Sequence, residues 1–162
     1  MKEEKKISIS IKEINELSFN QKPLPANPEV EKLADEIAIG LSFHFDVDIE
    51  KEIFKFITTV NYTLKETNAS LLELENEIVF EIENIAKSVK VEGENKLNIE
   101  NNFLITLAGV SIGTTRGILS TKTKGNVLSR VPLPILNPEE VLKEVRPKDK
   151  QEVKNNQKEI PL

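Results

Sequence analysis

The chain has 162 residues, a formal net charge of −5 and a sequence pI of about 5.2. A chain of this length is typical of one domain with a sizeable core. Its acidic balance argues against nucleic acid or an anionic membrane as the main partner. Because there is no cysteine, a disulfide framework, a thiol nucleophile and a cysteine-based zinc site are excluded.

The N-terminal stretch MKEEKKISIS is charged and has no apolar h-region, so we expect no secretory signal. We also expect no membrane insertion, because no run of apolar residues approaches the roughly 20 that span a bilayer. These features predict a soluble, cytoplasmic protein that begins with a charged tail at residues 1–6.

The first apolar pattern alternates at Ile7, Ile9 and Ile11 and then changes phase through Ile14. This predicts either one strand with a bulge or two short strands at a bend. The next segment, KPLPANPEVEKLAD, is rich in proline and is predicted to be a loop, with a helical turn from Glu29 as an option.

Three long alternating runs follow, at residues 37–49, 54–64 and 71–83, with short turns between them. Alternation of apolar and polar residues with period two is typical of strands that have one face in water. The pattern predicts a three-stranded antiparallel meander, to which the N-terminal strand adds a fourth strand.

The third run is unusual because its wet face consists almost entirely of glutamate. Those side chains are Glu73, Glu75, Glu77, Glu81 and Glu83. Glutamate is a poor strand former and neighbouring like charges repel. Together with Asp46 and Asp48 of the first run they predict a carboxylate surface on the open side of the sheet, partly neutralised by lysines such as Lys55.

Two interpretations of this surface stand side by side. It either docks a basic partner or simply keeps a half-exposed sheet soluble and free of aggregation. The candidate partner-docking residues are Asp46, Asp48, Glu73, Glu75 and Glu77.

The second half of the chain is predicted to be mainly helix and crossover. Residues 86–98 are polar and are predicted to be a loop. Apolar residues then recur at helical spacing over 98–117, with Asn98 as N-cap, and this helix is apolar nearly all round. We expect it to be buried on more than one side; a strand over residues 105–113 is the alternative.

Residues 118–138 are predicted to be extended and loop-like, followed by a short helix that starts at Pro138 with Asn137 as N-cap. The sequence beyond Arg146 is highly charged and reads as a solvated tail. The predicted organisation is therefore one domain at residues 7–145 and a polar, flexible C-terminal tail at 146–162.

No residue pattern indicates an enzyme. The only histidine, His44, has no second histidine or cysteine to join it, so it reads as an ordinary surface residue. The acidic residues near it lack the spacing of an EF-hand, and no phosphate-binding loop is present. We expect no catalytic residues, no metal and no cofactor.

The order of elements and three short motifs resemble the SecB family of export chaperones. The motifs are Ser18-Phe19 followed by Lys22-Pro23, Arg116-Gly117 near the end of the long helix, and LPILNPEEVL at residues 133–142. The resemblance covers residues 7–145. It implies an α+β fold with a four-stranded antiparallel sheet, and a long helix and a short C-terminal helix packed on one face.

The resemblance also implies function and assembly. SecB-like proteins bind unfolded polypeptides without ATP, and their chains form homodimers and homotetramers. In the export branch the acidic sheet face docks on the SecA motor, whereas other members protect an antitoxin. We therefore expect an ATP-independent holdase, with a protein dedicated to one partner, such as an antitoxin or a mobile-element protein, as the alternative.

A holdase must display apolar surface to its clients. The candidate client-contact residues lie near the crossover and the long helix: Leu119, Val127, Leu128, Val131 and Leu133. Phe43, Phe54, Phe56 and Phe80 of the meander are candidate walls of a client groove, but we expect them to be core residues because they lie on the faces that pack against the helix. Arg116 is expected either to pair with an inward carboxylate or to act as a cation at the C-terminus of the helix.

Overall fold

The structure is a computed structural model that describes residues 6–24, 30–94, 96–145 and 158–160. Five strands belong to one antiparallel sheet: β1 Ser8–Gln21, β2 Ile37–Asp48, β3 Ile53–Leu64, β4 Ser70–Glu83 and β7 Lys158–Ile160. Their order is β1-β4-β3-β2-β7. The meander β2-β3-β4 forms the centre because its short turns let neighbouring runs pair directly.

The other elements pack around this sheet or follow it. The helices are α1 Val30–Glu36, α2 Asn101–Lys122 and α3 Pro138–Val145. Strands β5 Val89–Val91 and β6 Leu97–Ile99 form a separate hairpin. The predicted fold class is confirmed: α+β, with a four-stranded antiparallel sheet, a long helix and a short C-terminal helix. The short β7 adds a fifth strand beside β2.

The hydrophobic core lies between α2 and one face of the sheet. Alternate residues of β2, β3 and β4 point to this face, and their phenylalanines Phe43, Phe54, Phe56 and Phe80 are buried there. Edge-on contacts such as Phe54 with Phe103 of α2, 5.9 Å between ring centroids, join the two layers. The expectation that these phenylalanines are core residues is confirmed.

β1 is a single strand with two register shifts against β4, one between Ile11 and Glu13 and one between Glu16 and Ser18. Of the two predictions for this segment, the strand with a bulge is therefore the one observed. Each shift leaves one residue of β1 outside the pairing, which produces the change of phase seen in the sequence.

Several predicted boundaries differ from the structure. The segment 86–98 is not a loop: it holds a short 3-10 helix, Ile85–Lys87, and the β5–β6 hairpin. Asn98 pairs with Lys90 in that hairpin, so Glu100 becomes the N-cap of α2. Helix α2 also continues past Gly117 to Lys122, because a glycine inside a helix costs only about 1 kcal/mol. The strand alternative over 105–113 is wrong.

Only one side of α2 is buried within the chain, including Phe103, Leu107, Ser111 and Leu119. On the other side Val110 is exposed, and a Cβ atom placed on Gly113 would have no neighbouring atom within 4 Å. The expected burial of α2 on more than one side therefore does not occur within the described part of the chain. By length and composition α2 is also apolar enough to cross a membrane, so the expectation that no such run exists is wrong. Its packing against the sheet is that of a core helix.

Two predicted segments fall largely outside the described residues. These are the N-terminal tail at 1–6, of which only Lys6 is described, and the C-terminal tail at 146–162. Within the latter, β7 is described as a strand.

Candidate functional site

Hydrogen bonds from two other elements hold the crossover segment, defined as residues 123–137. Arg116 of α2 donates from Nε to the Leu133 carbonyl oxygen at 3.0 Å and from Nη2 to the Pro134 carbonyl oxygen at 2.8 Å. The Tyr62 hydroxyl of β3 donates to the Val131 carbonyl oxygen at 2.7 Å. These bonds satisfy carbonyl groups that no helix or sheet pairs, and so fix the path of the segment.

Neither predicted role of Arg116 is observed. The helix continues beyond it, so it is not a C-terminal cation, and its guanidinium donates to backbone carbonyl groups rather than to a carboxylate. Packing also fixes the position of the Tyr62 side chain, since only 1% of the residue is exposed. Burial raises the pKa of Tyr62 to about 12, because the charged phenolate would lose its hydration.

The predicted client-contact residues lie inside the protein. Leu119, Leu128, Val131 and Leu133 are buried members of the core, and Val127 is half-buried. The crossover uses its apolar side chains to pack rather than to display a surface. A client-contact role for these residues therefore stays a prediction that this conformation does not support.

The exposed apolar surface is instead on β1. Its members, which we call the apolar strip, are Ile9, Ile11, Ile14 and Leu17, with 38%, 48%, 51% and 47% exposed. Ile9, Ile11 and Ile14 pair with Ile82, Phe80 and Ile78, which are fully buried core residues. The apolar face of the sheet is therefore wider than the helix layer, since α2 packs on β3 and β4.

The second half of β1 is contacted by side chains of α2 and the crossover segment, although Leu17 stays exposed there. Lys122 at the end of α2 forms an ion pair with Glu16 at 2.8 Å and lies 5.1 Å from the centroid of the Phe19 ring. Asn126 of the crossover segment donates to Gln21 at 3.2 Å. Ile9, Ile11 and Ile14 of the strip thus lie before the contacts made by α2 and the crossover, whereas Leu17 lies between Glu16 and Phe19, which Lys122 contacts.

Sequence reasoning missed the apolar strip. Regular isoleucines in a strand predict a buried sheet face, and only the position of α2 shows that this face extends past its cover. A second missed residue is Ile135, which is 95% exposed in the crossover segment immediately after the carbonyl groups that Arg116 binds.

The candidate partner-docking residues share the opposite face of the sheet, but they do not form a purely acidic patch. Glu75 accepts a hydrogen bond from Thr59 at 3.1 Å, and Glu77 lies 4.0 Å from Lys55 Nζ. Asp48 accepts a hydrogen bond from the Lys51 backbone N–H at 3.0 Å, which is the main reason that its pKa is lowered. The expected partial neutralisation by lysine is therefore observed at Lys55.

A shallow depression of about 410 Å³ lies on this face. Its charged lining residues are Lys12, Lys51, Lys55, Glu13, Asp46, Asp48 and Glu77. The structure thus brings Asp46, Asp48 and Glu77 together around the depression with three lysines, whereas Glu73 and Glu75 are not among its lining residues. Glu73 faces Asn61 of β3 instead.

A buried polar cluster interrupts the core between β3, β4 and α2. The Thr115 hydroxyl lies 2.9 Å from Asn76 Oδ1 and 2.8 Å from the Ser111 carbonyl oxygen. Three other buried atoms of this cluster have no hydrogen-bond partner among the described residues: Asn76 Nδ2, Thr58 Oγ1 and Ser111 Oγ. An unpaired buried polar group costs roughly 1–3 kcal/mol, so this cluster lowers stability.

We expect Asn76→Leu to raise the free energy of unfolding by about 1–2 kcal/mol, because leucine has a similar shape and removes the unpaired amide. Thr115 keeps the Ser111 carbonyl oxygen as its acceptor. Urea denaturation measures the change, and Asn20→Leu at an exposed position of β1 is the control, expected to stay within about 0.5 kcal/mol. A loss of stability in Asn76→Leu would mean that ordered water satisfies this cluster.

Among the described parts of the chain, no group of three or more histidine, cysteine, aspartate or glutamate residues is placed to hold a metal ion. His44 is exposed on the charged face of β2, opposite Ile57 of β3.

The fold and these surfaces define a class: an α+β protein with one antiparallel sheet, covered by a long helix on one face and charged on the other. The chain is similar to the SecB-like chaperone Rv1957 of Mycobacterium tuberculosis, solved in complex with a ChAD peptide from the Rv1956 HigA1 antitoxin. That match has a TM-score of 0.49 and 14% identity, and it covers 80% of this chain and 86% of the other.

The chain is also similar to a protein of unknown function from Streptococcus agalactiae, with a TM-score of 0.44, 8% identity, and coverage of 81% of this chain and 98% of the other. Both TM-scores are below 0.5, so neither likeness carries an argument about function. No protein-family model and no curated protein matches the sequence.

Proposed function

We propose that this protein is a SecB-like, non-enzymatic chaperone that binds unfolded polypeptides in the cytoplasm without ATP. The observation that carries the proposal is the apolar strip, an uncovered continuation of the core face of the sheet. Exposed apolar surface of this kind marks an interaction site, because leaving it in water costs free energy that a bound apolar segment recovers.

The geometry of β1 adds support. β1 is 14 residues long and lies at the end of the sheet, so its outer edge has no strand partner in the described chain. A long edge strand with apolar side chains offers both backbone hydrogen bonds and apolar contact to an extended polypeptide. The short motifs that resemble the SecB family are independent of this geometry.

Assembly into a homodimer or homotetramer is part of the proposal. The open face of α2, with Val110 and Gly113, is the surface that a second copy would use, which leaves the edge of β1 to the client. Glycine and other small residues on a helix let another element approach closely.

A protein dedicated to one partner is the second candidate. Ile135 favours it, since an isoleucine with 95% of its surface exposed follows a backbone that Arg116 holds rigidly. A single preformed apolar anchor suits one matching pocket better than many clients. The antitoxin peptide bound by the M. tuberculosis chaperone is the type of partner to test. Docking of a SecA-like motor on Asp46, Asp48, Glu73, Glu75 and Glu77 is less favoured, because lysines interrupt that face.

Aggregation suppression tests the proposal. We expect the purified protein, without nucleotide and at near-stoichiometric ratio, to suppress aggregation of several unrelated unfolded proteins. The double variant Ile11→Lys with Ile14→Lys is expected to lose most of this activity. Val91→Lys changes an apolar residue of the β5–β6 hairpin that is even more exposed, at 62%, and is the control, expected to retain this activity.

Light scattering of each variant separates loss of client binding from loss of assembly. Suppression of no client by the wild-type protein would refute the general holdase and leave the dedicated-partner function. Equal activity of the strip variant and the wild type would show that the apolar strip is not the binding surface.

A further inference from the structure

The edge of β2 carries a short strand from the chain's own C-terminal segment. β7 pairs antiparallel with β2 at three positions: Ile39 with Ile160, Gly40 with Glu159 and Leu41 with Lys158. The 12 residues of β2 thus extend well beyond this contact. From Ser42 to Asp48, no described segment pairs with the same edge.

The paired end of β2 differs from the rest of the strand in two ways. Residues 37–43 are buried on both faces, whereas His44 and Asp46 are exposed. The residues of the paired end that face the charged side of the sheet are also small: Ala38, Gly40 and Ser42. A glycine inside a strand weakens it and often marks a place where another backbone approaches closely.

We infer that the β2 edge from Ile37 to Phe43 is a strand-addition site for an extended polypeptide, and that β7 is its displaceable occupant in the same chain. The segment of residues 158–160 therefore acts as a stand-in for the partner. This inference rests on the proposed function, because it takes the partner strand to be a segment of an unfolded polypeptide.

The short length of β7 makes it displaceable. A partner strand that pairs from Ile37 into the uncovered stretch beyond Leu41 forms more backbone hydrogen bonds than a three-residue strand can. The advantage of β7 is its covalent attachment, which gives it an effective concentration of the order of 1 mM. Only polypeptides with a longer ladder or better side-chain contacts replace it.

The register also indicates the side chains that fit. A position opposite Ile39 lies on the core face of the sheet, where an apolar residue is favoured. A partner residue opposite Gly40 lies on the charged face of the sheet. Gly40 has no side chain, and the residue of β3 that pairs with it is Asn61. The partner is thus an extended segment with an apolar residue beside a large or polar one, as in alternating strands of unfolded proteins.

The test uses full-length chains and a labelled peptide of residues 154–162, KNNQKEIPL. The variant Glu159→Pro with Ile160→Pro removes the backbone N–H at both positions, so one of the bonds to β2 is lost whichever N–H faces it. Glu159→Thr keeps its N–H and is the matched control. Lys158→Pro with Glu159→Pro is a second variant that retains Ile160.

We expect faster hydrogen exchange in both proline variants than in the wild type and in Glu159→Thr, at those of Ile39, Gly40 and Leu41 whose backbone N–H points to β7 rather than to β3. We expect the peptide to bind the proline variants about tenfold more tightly than the wild type, by fluorescence anisotropy, and to restore protection at these residues. A peptide with both prolines is expected not to bind.

Unchanged exchange in the proline variants would overturn the cis pairing. Faster exchange without peptide binding would overturn the strand-addition site and leave β7 as a structural strand. Both readouts use the chain's own segment, so they are independent of aggregation suppression. Failure of this inference is therefore distinguishable from failure of the proposed chaperone function.

Discussion

Replacing Arg116 with alanine is expected to lower the free energy of unfolding by about 2–4 kcal/mol. A hydrogen bond from a charged donor contributes about 1.5–3 kcal/mol and two are lost, but Arg116 is only half-buried, so solvent lowers the effect below the full sum. The variant leaves the Leu133 and Pro134 carbonyl oxygens without their donor. Urea denaturation followed by circular dichroism measures the change. Arg116→Lys keeps the charge but not the planar fork, so its loss is expected to be intermediate.

Arg130→Ala is the matched control for this prediction. Arg130 lies in the same crossover segment but is exposed, so its removal is expected to change stability by less than about 0.5 kcal/mol. If Arg116→Ala lowered the free energy of unfolding no more than Arg130→Ala does, burial of Leu128, Val131 and Leu133 would be sufficient to hold the crossover segment in place. Stronger aggregation suppression by Arg116→Ala would indicate that these three residues contact clients once the segment loosens.

Alkaline pH is expected to destabilise the protein through Tyr62. The pKa of this group is raised from 10.0 to about 12 in the folded chain by burial. The unfolded chain therefore releases the phenolic proton at lower pH than the folded chain, which favours unfolding. Below about pH 9 both states are protonated and there is no effect; between about pH 10 and 12 up to about 3 kcal/mol is lost.

Urea unfolding at a series of pH values measures this loss, with Tyr62→Phe as the control. Phenylalanine has no titrating group, so the difference in stability between the two proteins should change across the same pH range, while lysine titration affects both. Tyr62 is the only tyrosine, so tyrosinate absorbance reports its pKa directly. A constant difference between the two proteins from pH 9 to 12 would contradict the burial-raised pKa.

The sequence was sufficient to predict elements whose patterns are local. The alternation in β4, with Leu72 and Leu74 buried and Glu73 and Glu75 half-exposed, follows directly from period two. The meander and the start of α3 just after Asn137 are also predicted by local patterns. Asn137 Oδ1 accepts a hydrogen bond from the Glu139 backbone N–H.

The sequence could not predict whether an apolar side chain is covered by another element or left exposed to solvent. Leu128 and Ile11 are both apolar, yet the first is buried and the second is 48% exposed. The difference is set by the distance that α2 and the crossover reach across the sheet, and no local pattern contains that information. The contacts of Arg116 have the same origin, since a carbonyl group 17 residues away becomes its acceptor.

The pairing of β1 also has a consequence for synthesis of the chain. Ser8 pairs with Glu83 and Gln21 with Leu72, so β1 has its partner among residues made much later. On the ribosome, β1 leaves the exit tunnel with its isoleucines unpaired and waits until β4 has been translated. Contacts so distant along the chain form slowly, and exposed strand edges promote association while they wait. The β1 segment of the nascent chain is therefore open to association with other chains until β4 has been made.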